Sequence, residues 1–255
     1  MIESLIETYG EPLLGAALGL ALGALFGVLA QRSRFCMRSA VIETARGGSG
    51  DRLPLWLLAV GVAVLATQAL AGAGLVATDS IRQLTSGGSW SGAAIGGLLF
   101  GFGMVLTRGC VSRLMVLTAG GNLRALATIA IFLAVAFLTM KGALGEARAL
   151  FAGLAPVRDG AGLDLARTLG FDATIGAAFG GVVVAAALTL GRRRGLTPSM
   201  ALGGVGIGLA VAATYAATAA LNAASFDPQP VKGPSFIAPA VNVAAGLVPQ
   251  AALKL

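Results

Sequence analysis

The chain contains two cysteines and no histidine, and the two cysteines stand in matching settings. Cys36 lies in QRSRFCMRSAVIETARGG (31–48) and Cys110 in TRGCVSRLMVLTAGGNLRAL (107–126), each with an arginine two residues earlier, Arg34 and Arg108. Cationic neighbours favour thiolate over thiol, and Arg32, Arg34 and Arg38 crowd Cys36. That setting suits a reactive thiol or an anion-attracting one; the plainer alternative is a basic loop that happens to hold a cysteine. In the second segment a short apolar run, 114–118, lies between Gly109 and the pair Gly120–Gly121. Such a run between glycine breaks predicts a broken or re-entrant helix, tolerated at membrane depth where it lines a cavity. Its N-terminus would aim backbone N–H groups at an anion, with Gly109 and Cys110 at that point. Against this stands an ordinary loop with a passive cysteine. Arg34, Arg108 and Arg113 are candidates for anion attraction and, taken singly, equally topology determinants. Zinc sites and catalytic triads need histidine or more thiols than are present, so no metal, cofactor or catalytic residue is expected.

The two cysteine segments belong to an internal repeat. GALFGVLAQRSRFC (23–36) lines up without a gap on GLLFGFGMVLTRGC (97–110), pairing Phe26 with Phe100, Arg34 with Arg108 and Cys36 with Cys110. Glycine and leucine matches between apolar stretches are common. The chain's two cysteines falling in register is not. Duplicated elements of this kind are how many transporters build a site between repeats. A third segment, GAAFG (176–180), starts the same way, and the gapless register puts Thr189 at its cysteine position.

The elements that must carry these segments are membrane-spanning helices. The composition is 56% hydrophobic and 11% charged, against about 25% charged in soluble domains. Uncharged stretches run 12–30, 53–78, 83–107, 125–140, 173–191, 195–226 and 233–253. A crossing needs about 20 residues, and 125–140 reaches that once Arg124 and Lys141 snorkel. The last stretch is weakened by Pro234, Pro239 and Pro249. The expectation is an all-α polytopic membrane protein of six or seven transmembrane helices with internal repeats and short broken or re-entrant helices carrying the cysteines. It is read as one membrane domain over 1–255, with repeat elements at about 12–77 and 91–145 and a second half at 173–255. The polar connection 141–172 is expected to fold over one membrane face. Glycines recur at helix-packing spacings, such as Gly92, Gly96, Gly97 and Gly101.

Charge placement predicts topology. With the N-terminus outside, the inner loops hold Arg32, Arg34, Arg38, Arg46, Arg52, Arg108, Arg113, Arg124 and Arg192, Arg193 and Arg194. The outer loops hold Arg82, Lys141, Arg148, Arg158, Arg167 and Lys232. The excess inside fits the positive-inside rule, and the spread of arginine among short loops argues against nucleic acid as partner. The flank before the first span carries Glu3, Glu7 and Glu11 and no basic residue, unlike a cleaved signal, so that span is expected to be retained. Trp56 and Trp90 read as interface residues, and Asn122 as the cap of the helix after Gly121.

At its two cysteine segments the sequence resembles the YeeE/YedE family of sulfur-compound transporters. The likeness rests on RSRFCMRSA (32–40), LLFGFGMVLTRGC (98–110) and GGNL (120–123), with weaker echoes in TPSMALGG (197–204) and PSFIAP (234–239). The resemblance implies uptake of thiosulfate, or a related small sulfur anion, across the bacterial inner membrane, with no enzymatic turnover. It also implies a cysteine-lined path in which Cys110 is the central position and Cys36 a relay, the anion being held through weak thiol hydrogen bonds. Family members carry a further Gly-Cys element near the C-terminus that these 255 residues lack. That leaves three alternatives: a shortened form, a partner polypeptide that supplies the missing part, or a different path. Membrane lipid is the other expected partner. Two further functions fit the residues less well: a membrane thiol–disulfide oxidoreductase using Cys36 and Cys110, and a non-transporting accessory membrane subunit.

Overall fold

The protein is described here from a computed structural model covering residues 10–77, 81, 88–157, 173–224, 231 and 233–247. Its helices are α1 (Glu11–Arg32), α2 (Met37–Ala45), α3 (Arg52–Gly72), α4 (Trp90–Leu106), α5 (Val111–Ala119), α6 (Leu123–Lys141), α7 (Gly145–Gly153), α8 (Ala173–Arg193), α9 (Pro198–Ala223) and α10 (Ala238–Leu247). Two short strands, β1 (Gly88–Ser89) and β2 (Pro156–Val157), pair antiparallel. Six helical stretches are long and apolar enough to cross a membrane: Leu13–Ala45, Arg52–Gly72, Trp90–Ala119, Leu123–Lys141, Ala173–Arg193 and Pro198–Ala223. The chain is therefore a multi-pass membrane protein. Helix α10 has ten residues, about 15 Å at 1.5 Å per residue, half of what a crossing requires. Pro239 stands in its first turn, and a seventh span is not formed among the described residues.

Two of the six stretches are interrupted. The first is α1 and α2, the second α4 and α5, and each break holds one cysteine. Most helix starts follow local rules. Pro12 sits in the first turn of α1, and Pro198 in the first turn of α9, where a missing N–H costs nothing. Ser89, Asn122 and Thr197 cap α4, α6 and α9 by accepting from Gly92, Ala125 and Met200 N–H. The asparagine cap is thus where the sequence put it.

The chain divides into two compact units, residues 1–86 with 160–234 and residues 87–159 with 235–255. In the first, α3 packs against α8 and α9, and α9 also meets α1. Leu58, Val62 and Ala187 form a buried cluster there, with Val184, Leu196 and Val205 against it. Close approach depends on glycine. A Cβ on Gly180 would lie 2.6 Å from the Leu65 backbone nitrogen, and one on Gly208 would lie 2.7 Å from the Ala59 carbonyl oxygen. In lipid such backbone proximity, rather than hydrophobic expulsion, drives association. The glycines singled out in the sequence behave differently. A Cβ at Gly96, Gly97 or Gly101 meets no atom within 4 Å among the described residues, and Gly92 meets only Ser89 and Ala152.

In the second unit α5 folds back on α6 through Leu114, Ala125 and Ile129, supported by Met115, Leu117 and Leu133. The described part of the 141–172 connection, α7 and β2, lies on the start of α4. There the Ser89 hydroxyl donates to the Ala152 carbonyl (2.6 Å) and that of Ser91 to Phe151 (2.7 Å). Residues 158–172 of that connection lie outside the described residues. Trp90, at the first position of α4, is 62% exposed, consistent with an interface side chain.

The glycine contacts give a direct test. Gly208→Leu forces an α9 side chain into the α3 backbone, and overpacking of that kind costs about 1–3 kcal/mol. The melting temperature in detergent is expected to fall, whereas Gly181→Leu, which opens onto nothing within 4 Å, leaves it unchanged.

Candidate functional site

The two cysteine segments adopt one backbone path, offset by 74 residues. Helix α1 ends at Arg32 with Ser33 as its cap, Arg34 turns left-handed (φ 53°), and Cys36 is the extended N-cap of α2. Helix α4 ends at Leu106 with Thr107 as its cap, Arg108 turns left-handed (φ 57°), and Cys110 is the extended N-cap of α5. Both short helices have nine residues, and both end on a left-handed glycine, Gly47 and Gly121. The repeat therefore runs without a gap from residues 23–47 onto 97–121.

The α1 end is a Schellman termination, in which the left-handed residue and its successor return N–H groups to the last helical carbonyls, and the α4 end shares the bond from the left-handed residue. Arg34 N–H donates to Gln31 (3.2 Å) and Phe35 N–H to Ala30 (3.0 Å), and Arg108 N–H donates to Val105 (3.3 Å). Six helices among the described residues end on a left-handed residue. Four use glycine, at 47, 74, 121 and 195, and two use arginine, at 34 and 108. A side chain in that conformation costs roughly 1–2 kcal/mol. The two costly positions are those that stand two residues before a cysteine. Backbone strain of this kind clusters at active sites and ligand clamps.

Both thiols are buried, Cys36 at 8% and Cys110 at 6% exposure. Neither sulfur caps its helix. Cys110 Sγ lies 3.2 Å from the Ser112 hydroxyl. Gly109 is buried, and a Cβ there would press on Leu114 at 3.3 Å. Arg34 and Arg108 are exposed, and Arg113 is half-buried with its stem beside Gly109. In the first turn of α2, Arg38 Nε is buried without a hydrogen-bond partner among the described residues.

A cleft of about 820 Å³ lies within the second unit between α4, α5 and α6. Arg108 and Gly109 line it together with Thr107, Asn122, Arg124 and Thr128, and its remaining walls are apolar. Cys110 and Arg113 are not among its lining residues. The structure thus brings Arg108 and Gly109 to one cavity with Arg124, a residue the sequence offered only as a topology determinant.

The same geometry relocates the third copy. Thr189 lies inside α8, its hydroxyl donating to the Ala186 carbonyl (2.9 Å). The bend comes eight residues later: Gly195 is left-handed, Leu196 N–H returns to Gly191 (2.8 Å), and Thr197 is the extended N-cap of α9. The gapless register failed because α8 continues to Arg193 before turning. A left-handed glycine two residues before a capping side chain was the available signal.

The family described as sulphur transport matches residues 32–253. The chain belongs to that family. The match opens at the first cysteine element, where Arg32 ends α1. Over 94 residues the chain is also 33% identical to the thiosulfate transporter TsuA of Escherichia coli (strain K12). That alignment covers 37% of this chain and spans 25% of the relative's length.

Replacing either strained arginine by glycine separates stability from function in this member of the sulphur transport family. Glycine takes the left-handed conformation without penalty but gains more freedom when unfolded. Arg34→Gly and Arg108→Gly are each expected to raise stability by up to about 1 kcal/mol. The readout is the detergent melting temperature, and a fall in both variants would contradict the strain.

Proposed function

We propose that this protein carries thiosulfate, or a related small sulfur anion, across the inner membrane along a path lined by Cys36, Gly109 and Cys110. Arg34, Arg108 and Arg113 attract the anion. The N-terminus is periplasmic, in keeping with the arginine excess on the opposite loops. The observation that carries the reading is the pair of left-handed arginines at positions that elsewhere in the chain are glycine.

The chemistry follows from the N-cap placement. The first turn of a helix presents unsatisfied N–H groups and a positive end of the helix dipole. At α2 and α5 that potential falls beside a thiol rather than beside a stronger capping oxygen. A thiol is a weak donor that desolvates at little cost, so an anion meets attraction without a deep trap. The unpartnered Nε of Arg38 supplies one more buried donor next to Cys36, the kind of orphan that a ligand or water would satisfy. The cleft lined by Arg108, Gly109 and Arg124 gives the second element a cationic approach. A permeation role needs this balance, because tight binding would halt release. Whether the chain works alone or with a polypeptide that adds a further cysteine element is decided by reconstitution.

The test is thiosulfate uptake into liposomes containing the purified chain. Cys110→Ala is expected to lower the rate by at least about tenfold, the size of a lost interaction near 1.4 kcal/mol. Cys110→Ser, which keeps a polar donor, should retain part of it. Undiminished uptake by Cys110→Ala removes the cysteine path. Thiol counts before and after turnover should stay at two, and a cycling count would favour an oxidoreductase instead.

A further inference from the structure

We propose that Arg52 is a positioning residue that holds the Cys36 bend in its working shape, and that the two cysteine elements are clamped in different ways. The inference rests on the transport reading for its consequence and on geometry for the clamp itself. Arg52 is the first residue of α3, beyond both the cysteine and the short helix α2. Its Nη1 donates to the carbonyl oxygen of Arg34 at 3.1 Å. That oxygen belongs to the strained residue itself, so the bond fixes the peptide plane that leads into Phe35 and Cys36. Its Nε is 3.2 Å from Asp51 Oδ1, with both side chains about three-quarters covered. Its backbone N–H donates to Glu43 Oε1 at 3.3 Å.

Glu43 closes the loop. It lies on α2, and its carbonyl accepts Gly48 N–H at 2.9 Å. A Cβ on Gly50 would fall 2.5 Å from its carboxylate, so the loop after α2 wraps that acid closely. One end of α3 therefore grips the bend before Cys36 through a guanidinium and the helix after Cys36 through a carboxylate. The planar fork of arginine serves two acceptors at once, which a lysine ammonium on one flexible stem does less well.

The second element is built otherwise. Helix α6 begins with Leu123, an apolar residue at the position that Arg52 holds in α3. There the bend carries its own brace: the Thr107 hydroxyl lies 2.8 Å from the Gly103 carbonyl oxygen and 3.0 Å from that of Gly109. Ser33, its counterpart, bonds only to Leu29 (2.7 Å) among the hydrogen bonds described for its hydroxyl. The Cys110 bend is braced from within, and the Cys36 bend from the next helix. A change at Arg52 should therefore loosen one thiol and spare the other.

The experiment uses full-length single-thiol proteins, Cys110→Ala to report on Cys36 and Cys36→Ala to report on Cys110, each with and without Arg52→Met. Alkylation by neutral iodoacetamide is followed in alkaline buffer, where thiol ionisation no longer limits the rate. The Cys36 rate is expected to rise several-fold as local opening becomes easier, with Cys110 unchanged and Arg52→Lys intermediate. Thiosulfate uptake by Arg52→Met, with both cysteines present, should fall in parallel. An unchanged Cys36 rate overturns the proposal, as does an equal rise at Cys110, which reports general loosening. Wild-type vesicles that take up no thiosulfate, while Arg52→Met still exposes Cys36, would remove transport by the chain alone and leave the clamp standing.

Discussion

In a bilayer no water is available to satisfy a broken helix, so every interruption must return its backbone groups to protein. Both cysteine bends interrupt a stretch long and apolar enough to cross a membrane, and both meet that demand. At each, the left-handed residue lets the chain reverse direction while its N–H still reaches a carbonyl of the helix just left. Glycine would do this at least cost, and the four other left-handed helix ends among the described residues use it. At residues 34 and 108 it accepts the penalty of a side chain. The backbone geometry thus sets the two cysteine bends apart from the four glycine bends.

The glycines divide by task for a similar reason. Those of α3, α8 and α9 sit where one backbone meets another and leave no room for a methyl group. The helix pairs they join give the first unit its rigidity, and against that frame α1 ends at Ser33, itself buried beside Gly203. The bend before Cys36 is therefore anchored on both sides, by α9 at Ser33 and by α3 at Arg52. In the second unit α5 relies on apolar contact with α6, and one wall of the neighbouring space is the open cleft. Two copies of one backbone element are thus supported by different surroundings.

Much of this was legible in the sequence. Charge-poor stretches marked the six helical spans because lipid admits few charges, and paired cysteines marked the repeat because gapless register is improbable by chance. The cap at Asn122 and the breaks at Gly109 and Gly120–Gly121 followed from local chemistry. Other features could not be read that way. Spacing alone does not say which face of a helix meets another: Gly96, Gly97 and Gly101 looked like packing positions, and a Cβ there meets no atom within 4 Å among the described residues. The third bend was displaced because a helix can lengthen by two turns without changing the motif that opens it. An arginine in a glycine position carries no sequence signature at all; only the dihedral angle reveals it. The bonds of Arg52 were hidden likewise, since its partners lie 9 and 18 residues away and one of them is a backbone oxygen.

The strain and the thiols are best understood together. A buried thiol at a helix N-terminus sits where a capping oxygen would ordinarily satisfy the first N–H groups, so Cys36 and Cys110 each forgo some helix stability. The arginine two residues earlier adds a second local cost. Two independent penalties at one place, repeated 74 residues later, are hard to explain by folding, because each would be removed by a common substitution. Serine at the cap and glycine at the turn would give a more stable segment with the same path. On the transport reading, the chain keeps the less stable choice at both bends because the helix end serves a small anion as well as its own backbone.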